Sequence, residues 1–92
     1  MELIFRKRFL REARAIGNKE LALELSRIFH QIEKVHSITE IGGLVKLEDY
    51  THYHRIRIKI SKTRDYRLVL SARKNKVWVE CIALASKIFY KH

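Results

Sequence analysis

One stretch limits the possible folds more than any other. In Tyr53-His54-Arg55-Ile56-Arg57-Ile58-Lys59-Ile60, apolar and cationic side chains alternate with period two. Successive side chains of a strand point to opposite faces. Ile56, Ile58 and Ile60 therefore share one face, and Tyr53, Arg55, Arg57 and Lys59 the other. The run Tyr66 to Ala72 alternates more weakly, with Leu68, Leu70 and Ala72 on its buried side and Arg67, Val69, Ser71 and Arg73 opposite. Lys74-Asn75-Lys76 reads as a turn, because Asn tolerates left-handed backbone angles. Lys76 to Leu84 is apolar on both faces, as a central strand is, and its polar parity carries Trp78 and Glu80. Pairing these three strands gathers several cations and two aromatics on one face of a sheet.

The chain before this region supplies the other layer. Glu2 to Phe5 reads as a short edge strand. From Arg6 to Ile16, Phe9, Leu10, Ala13 and Ile16 recur at helical spacing, with five arginines and lysines on the remaining surface. Gly17 suits the C-cap of this helix, and Asn18 the N-cap of the next. The second helix is expected from about Lys19 to His36, with Leu21, Leu25, Ile28, Phe29, Ile32 and Val35 as its apolar stripe. Ile38 to Thr51 is expected to be a loop, with Gly42-Gly43 free to take positive φ and Leu44, Val45 and Leu47 as anchors. The expected fold is a small two-layer α+β domain spanning 1–92. An N-terminal strand and two antiparallel helices cover one face of an antiparallel sheet. Ile56, Ile58, Leu68 and Leu70 should then meet Leu25, Ile28, Phe29 and Ile32.

Charge narrows the partners. Twenty Lys and Arg against ten Asp and Glu leave a net +10 and a pI near 10.1. That imbalance calls for an anionic partner, whether nucleic acid, a membrane surface or an acidic protein. Cations concentrated beside aromatics on a strand face point to nucleic acid. The longest apolar run, Cys81 to Ala85, is far short of the ~20 residues of a membrane span. Met1 to Arg6 lacks the apolar region of a signal peptide, and the single cysteine excludes an internal disulfide. Both lead to the expectation of a cytoplasmic protein, with Cys81 as a buried structural thiol.

The order of elements and the strand text together resemble the RelE/ParE superfamily of bacterial toxin–antitoxin toxins. The residues concerned are Leu44, then Leu47-Glu48-Asp49-Tyr50-Thr51-His52-Tyr53-His54-Arg55-Ile56-Arg57-Ile58, then Asp65-Tyr66-Arg67-Leu68, and finally Phe89-Tyr90-Lys91. They are similar to that family's leucine and tyrosine loop, its Tyr-Arg-Ile-Arg strand, its Asp-Tyr-Arg strand and its terminal Ile-Tyr-Lys. Two departures stand out. Ser61-Lys62-Thr63-Arg64 lengthens a hairpin that is very short in the family. Ala85-Ser86 occupies the position of the family's His-Arg, with Lys87 beside it.

The resemblance implies a RelE-like fold and cleavage of mRNA in the ribosomal A site. There a ribose 2′-OH attacks the adjacent phosphorus, with no metal and no cofactor required. A base must take a proton, cations must stabilise the phosphorane, and an acid must protonate the leaving 5′-oxygen. Arg57 and Arg67, facing each other on paired strands, suit the second task, because guanidinium matches phosphate oxygens bidentately. Arg55, Lys59 and Arg73 extend the RNA-binding face. The base and acid are to be sought among Lys59, Lys87, Tyr90, His54 and His92. Tyr90 carries over from the family's terminal tyrosine, and Lys87 is a candidate substitute for the missing arginine. The implied partners are a cognate antitoxin, mRNA and the ribosome.

Plainer readings compete. Arg55, Arg57 and Lys59 also fit a solvated strand face, His54 a core-edge histidine, and Tyr50, Tyr53, Tyr66 and Trp78 ordinary packing. His52 and His54, with Asp49 or Glu48 nearby, have the spacing of two metal ligands, but metal sites need three or four. Two other functions also stay open: a ParE-like inhibitor of DNA gyrase, and an inactive domain that binds RNA or antitoxin.

Overall fold

Five strands form one sheet in the order β1-β5-β4-β3-β2, and two helices close its apolar face. The computed structural model describes residues 1–46 and 52–87, with the backbone alone at Lys87. The elements are β1 (Glu2–Phe5), α1 (Lys7–Ile16), α2 (Lys19–Lys34), β2 (Leu44–Lys46), β3 (Tyr53–Lys59), β4 (Asp65–Arg73) and β5 (Lys76–Leu84), with 3-10 turns at Ile38–Glu40 and Ala85–Lys87. The expected α+β fold is present, and the meander β3-β4-β5 is antiparallel. β1 joins the edge of β5 in parallel, so the sheet as a whole is mixed.

The period-two text sorts the strands as anticipated. Ile56, Ile58, Leu68 and Leu70 are buried in one cluster with Leu21, Leu25, Ile28 and Ile32 of α2, and the half-buried Phe29 packs against it. Phe9 joins the cluster from α1, and the rings of Phe5, Phe9 and Phe29 stand 5.1–5.8 Å apart, tying β1 to both helices. Between the helices, Gly17 takes φ 58° and its N–H donates to Ala13 O, while Asn18 Oδ1 accepts from Leu21 N at 2.9 Å. Only glycine adopts that left-handed angle without penalty, which is why the chain turns there.

The structure departs from the sequence expectation at three places. α2 stops at Lys34, two residues early, because Glu40 Oε2 takes the backbone N–H groups of His36 and Ser37 and bends the chain into a capped 3-10 turn. Leu44–Lys46, read as loop, is the edge strand β2, paired antiparallel to β3. In the β4–β5 turn the left-handed residue is Lys74, at φ 56°, rather than Asn75. Asn75 instead offers its carbonyl to Glu2 N at 2.9 Å, where β1 begins to pair.

Beyond the end of β1, α1 takes over the exposed margin of β5. Arg6 N donates to Val79 O at 3.0 Å, and three residues on the Ile82 N–H donates to Glu12 Oε1 at 3.0 Å. A side-chain carboxylate thus replaces the missing strand partner, which buried backbone donors require. Among the described residues no helix is long and apolar enough to cross a membrane.

Leu70 is fully buried and Leu23 is 73% exposed. Leu70→Ala should therefore cost about 2–5 kcal/mol of stability, while Leu23→Ala should stay within about 0.5 kcal/mol of wild type. Urea unfolding checks both, as a shift in midpoint at constant slope.

Candidate nucleic-acid interface

The face of the sheet turned away from the helices carries the cations. Arg57 on β3 lies in register with Arg67 on β4, and Lys59 with Asp65. Like charges placed directly across two strands repel, and Asp65 offsets that repulsion. Its Oδ2 accepts from Arg57 Nε at 2.8 Å and lies 2.7 Å from Nη2. Arg57 is thus held by two of its nitrogens while its side chain remains 57% exposed. Arg67 is half-buried, and its Nε, like Asp65 Oδ1, has no hydrogen-bond partner among the described residues. The two arginines therefore share one face in register, Arg57 oriented by a carboxylate and Arg67 with a buried Nε that no described residue engages.

Other anticipated residues are distributed along this face. Arg55 is half-buried between Val69 on β4 and Val45 on β2, and Lys59 is exposed. Arg73 is exposed at the far end of β4, opposite Lys76 and away from Arg57. Lys87 closes the 3-10 turn after β5, and Tyr90 and His92 lie outside the described residues. So do Glu48, Asp49 and Tyr50. Tyr66 points into the core opposite Ile58, as its plainer reading required.

His54 cannot serve chemistry on the cationic face. It is 9% exposed, opposite Leu70 and Lys46, on the side that faces the helices. Burial lowers its pKa first, and the charges of Lys46 and His52 lower it further, so it is held neutral. Its Nδ1 finds no hydrogen-bond partner among the described residues. No group of three or more His, Cys, Asp or Glu is placed to hold a metal among them either. Cys81 is buried on the cationic face opposite Val69. Burial pushes its thiol pKa up against a lowering by Arg8, so it stays a protonated packing group.

A second cluster, not singled out from the sequence, occupies the other end of the face. The ladder between β4 and β5 slips at Val69/Leu70, because Leu70 pairs with Val79 and Val69 with Cys81, leaving Glu80 as an extra residue. The bulge aims Glu80 toward Ser71, whose hydroxyl donates to Oε2. Arg6 closes the cluster, with Nε 3.2 Å from Glu80 Oε1 and its guanidinium carbon 5.7 Å from the centre of the Trp78 ring. The only signal in the text was the break in parity: Val77 and Val79 face the core, and so does Ile82.

No protein-family model and no curated protein matches the sequence. Among solved structures, the chain is similar to one in the crystal structure of the RelB-RelE antitoxin-toxin complex from Methanococcus jannaschii. The TM-score is 0.74, at 14% identity over 90% of this chain and 91% of that one. This likeness is one of fold, and it is a RelE-like fold.

The state of His54 gives a pH test. Below about pH 6.5 the unfolded chain takes up a proton that the folded chain refuses until the pH is lower still. The unfolded state binds more protons in that window, so stability should fall on acidification through it. His54→Leu should flatten this part of the profile, read as the melting temperature between pH 7.5 and 5.

Proposed function

We propose that this chain is the toxin of a type II toxin–antitoxin pair and cleaves mRNA on the ribosome without a metal. The observation that carries the reading is Arg57 in register with Arg67 on the open face of a RelE-like fold. As the bond from the 2′-oxygen to phosphorus forms and the bond to the 5′-oxygen breaks, negative charge builds on the non-bridging oxygens. Two adjacent guanidinium groups meet that charge with paired donors. Asp65 positions Arg57 for it through the two contacts already described.

Arginine stays protonated and cannot be the base. With His54 on the opposite face, proton transfer falls to Lys59 on this face and to Lys87, Tyr90 and His92 of the C-terminal segment. The resemblance gives Tyr90 stacking or proton transfer as its role. Arg55, Lys59 and Arg73 hold the RNA backbone. The partner is an antitoxin with an acidic, partly helical segment that covers the basic face, supported by the net +10 and by the antitoxin bound in the similar structure. Its association rate should fall as salt rises.

One observation favours a second reading, a ParE-like inhibitor of DNA gyrase. Ala85 and Ser86 form the turn after β5 at the position where the resemblance places His-Arg, so one cation of the nuclease pattern is absent there. Pulse labelling after induction separates the two, since a nuclease halts protein synthesis and a gyrase inhibitor DNA synthesis. An inactive binding domain halts neither.

Single-turnover cleavage in a programmed ribosome complex, at saturating protein, tests the site itself. Arg57→Ala and Arg67→Ala should each slow cleavage by about 10²–10³-fold with the fold intact, as for loss of one donor to transition-state charge. Lys87→Ala should lower the rate if this lysine replaces the missing arginine. Unchanged rates in both arginine variants would remove the nuclease site from this face.

A further inference from the structure

The bulge cluster borders a cleft of about 250 Å³, lined by Arg6, His52, Tyr53, Ser71, Arg73 and Trp78 among others. Tyr53, Ser71 and Trp78 stand in register across β3, β4 and β5, so two aromatics flank one small residue. Adjacent strands lie ~4.8 Å apart, which roots the two rings roughly 10 Å from each other. The floor is chemically quiet, because Ser71 is 8% exposed and its hydroxyl is committed to Glu80. The Trp78 wall is fixed in advance by Arg6, itself anchored on Glu80. Arg73 and His52 are exposed at the rim.

We propose that this cleft is a base-binding subsite for single-stranded RNA. A nucleobase stacks in the aromatic row of Tyr53 and Trp78, and Arg73 takes the phosphate beside it. The volume supports a single flat base, since it lies below the roughly 300–1,000 Å³ of sites for drug-sized molecules. Stacking platforms bordered by cations are how single strands are held without base pairing. The proposal rests on the reading of the open face as an RNA track. Ser71 lies four residues along β4 from Arg67, roughly 13 Å at strand rise. The base held here therefore belongs to a nucleotide other than the one being cleaved.

Trp78 is the single tryptophan of the chain, so its emission reports on the cleft directly. The intact protein is titrated with octa-adenylate RNA and with an abasic ribose-phosphate octamer, while anisotropy of the labelled oligomers follows binding. Octa-adenylate should quench the emission saturably. The abasic strand should bind through its charge and leave the emission unchanged. Trp78→Leu should weaken adenylate binding by about 5- to 100-fold and spare the abasic strand. Arg73→Ala should weaken both and lower the salt slope by about one. Binding of octa-adenylate without quenching, or equal quenching by the abasic strand, overturns the subsite and leaves the arginine pair standing. Quenching by an acidic peptide but not by RNA also overturns it and assigns the cleft to a protein. Conversely, quenching retained in Arg57→Ala and Arg67→Ala alongside unaltered cleavage sustains the subsite while removing the proposed nuclease site.

Discussion

The packing of the β3-β4-β5 meander against α2 is the contact on which the rest of the molecule depends. β4 is the middle strand, and Leu68 and Leu70 on it are fully buried in the cluster that holds Leu21, Leu25, Ile28 and Ile32. Because side chains alternate along a strand, sealing these leucines on one side commits Arg67, Val69 and Ser71 to the other. The cationic face is thus a geometric by-product of the core. A slip of one residue in the pairing would expose the leucines and bury the arginines together, so the register is fixed by burial and the charges follow it.

Charges brought together in this way need local compensation, and the sheet supplies it with two carboxylates. Asp65 binds Arg57 beside Arg67, and Glu80 binds Arg6 beside Trp78. Each leaves cationic or aromatic surface available while fixing its direction. Exposed ion pairs contribute little to stability. Their effect here is to orient, since a guanidinium held through two nitrogens loses less freedom when it meets a phosphate.

The alternation of Ile56 and Ile58 with Arg55 and Arg57 made the sheet faces legible, as the stripe from Leu21 to Ile32 did for α2. Local chemistry made both caps at Gly17 and Asn18 legible too. The parallel addition of β1 left no trace in the text, because a four-residue strand with three apolar residues does not state its direction. β2 was hidden for a similar reason: three residues are too few to show a period. At the site, the facing of Arg57 and Arg67 followed from parity, but the engagement of Asp65 with Arg57 required the register. The Arg6–Glu80–Ser71 cluster joins residues up to 74 positions apart, and no local pattern encodes such a contact. His54 was open to two readings until the structure set it on the core side.

The bulge at Glu80 has a consequence for how this chain can vary. Before it, the odd-numbered residues of β5 face the helices, and after it the even-numbered ones do. The strand is in effect written in two frames joined by one extra letter. Forcing β5 into one regular frame with Glu80 kept would turn Ile82 and Leu84 outward and carry Cys81 and Ala83 inward, although every residue kept its identity. The extra residue and the bulge therefore go together: a related chain one residue shorter at Glu80 should run as a regular strand with the same two faces, whereas one that keeps the residue must keep the bulge.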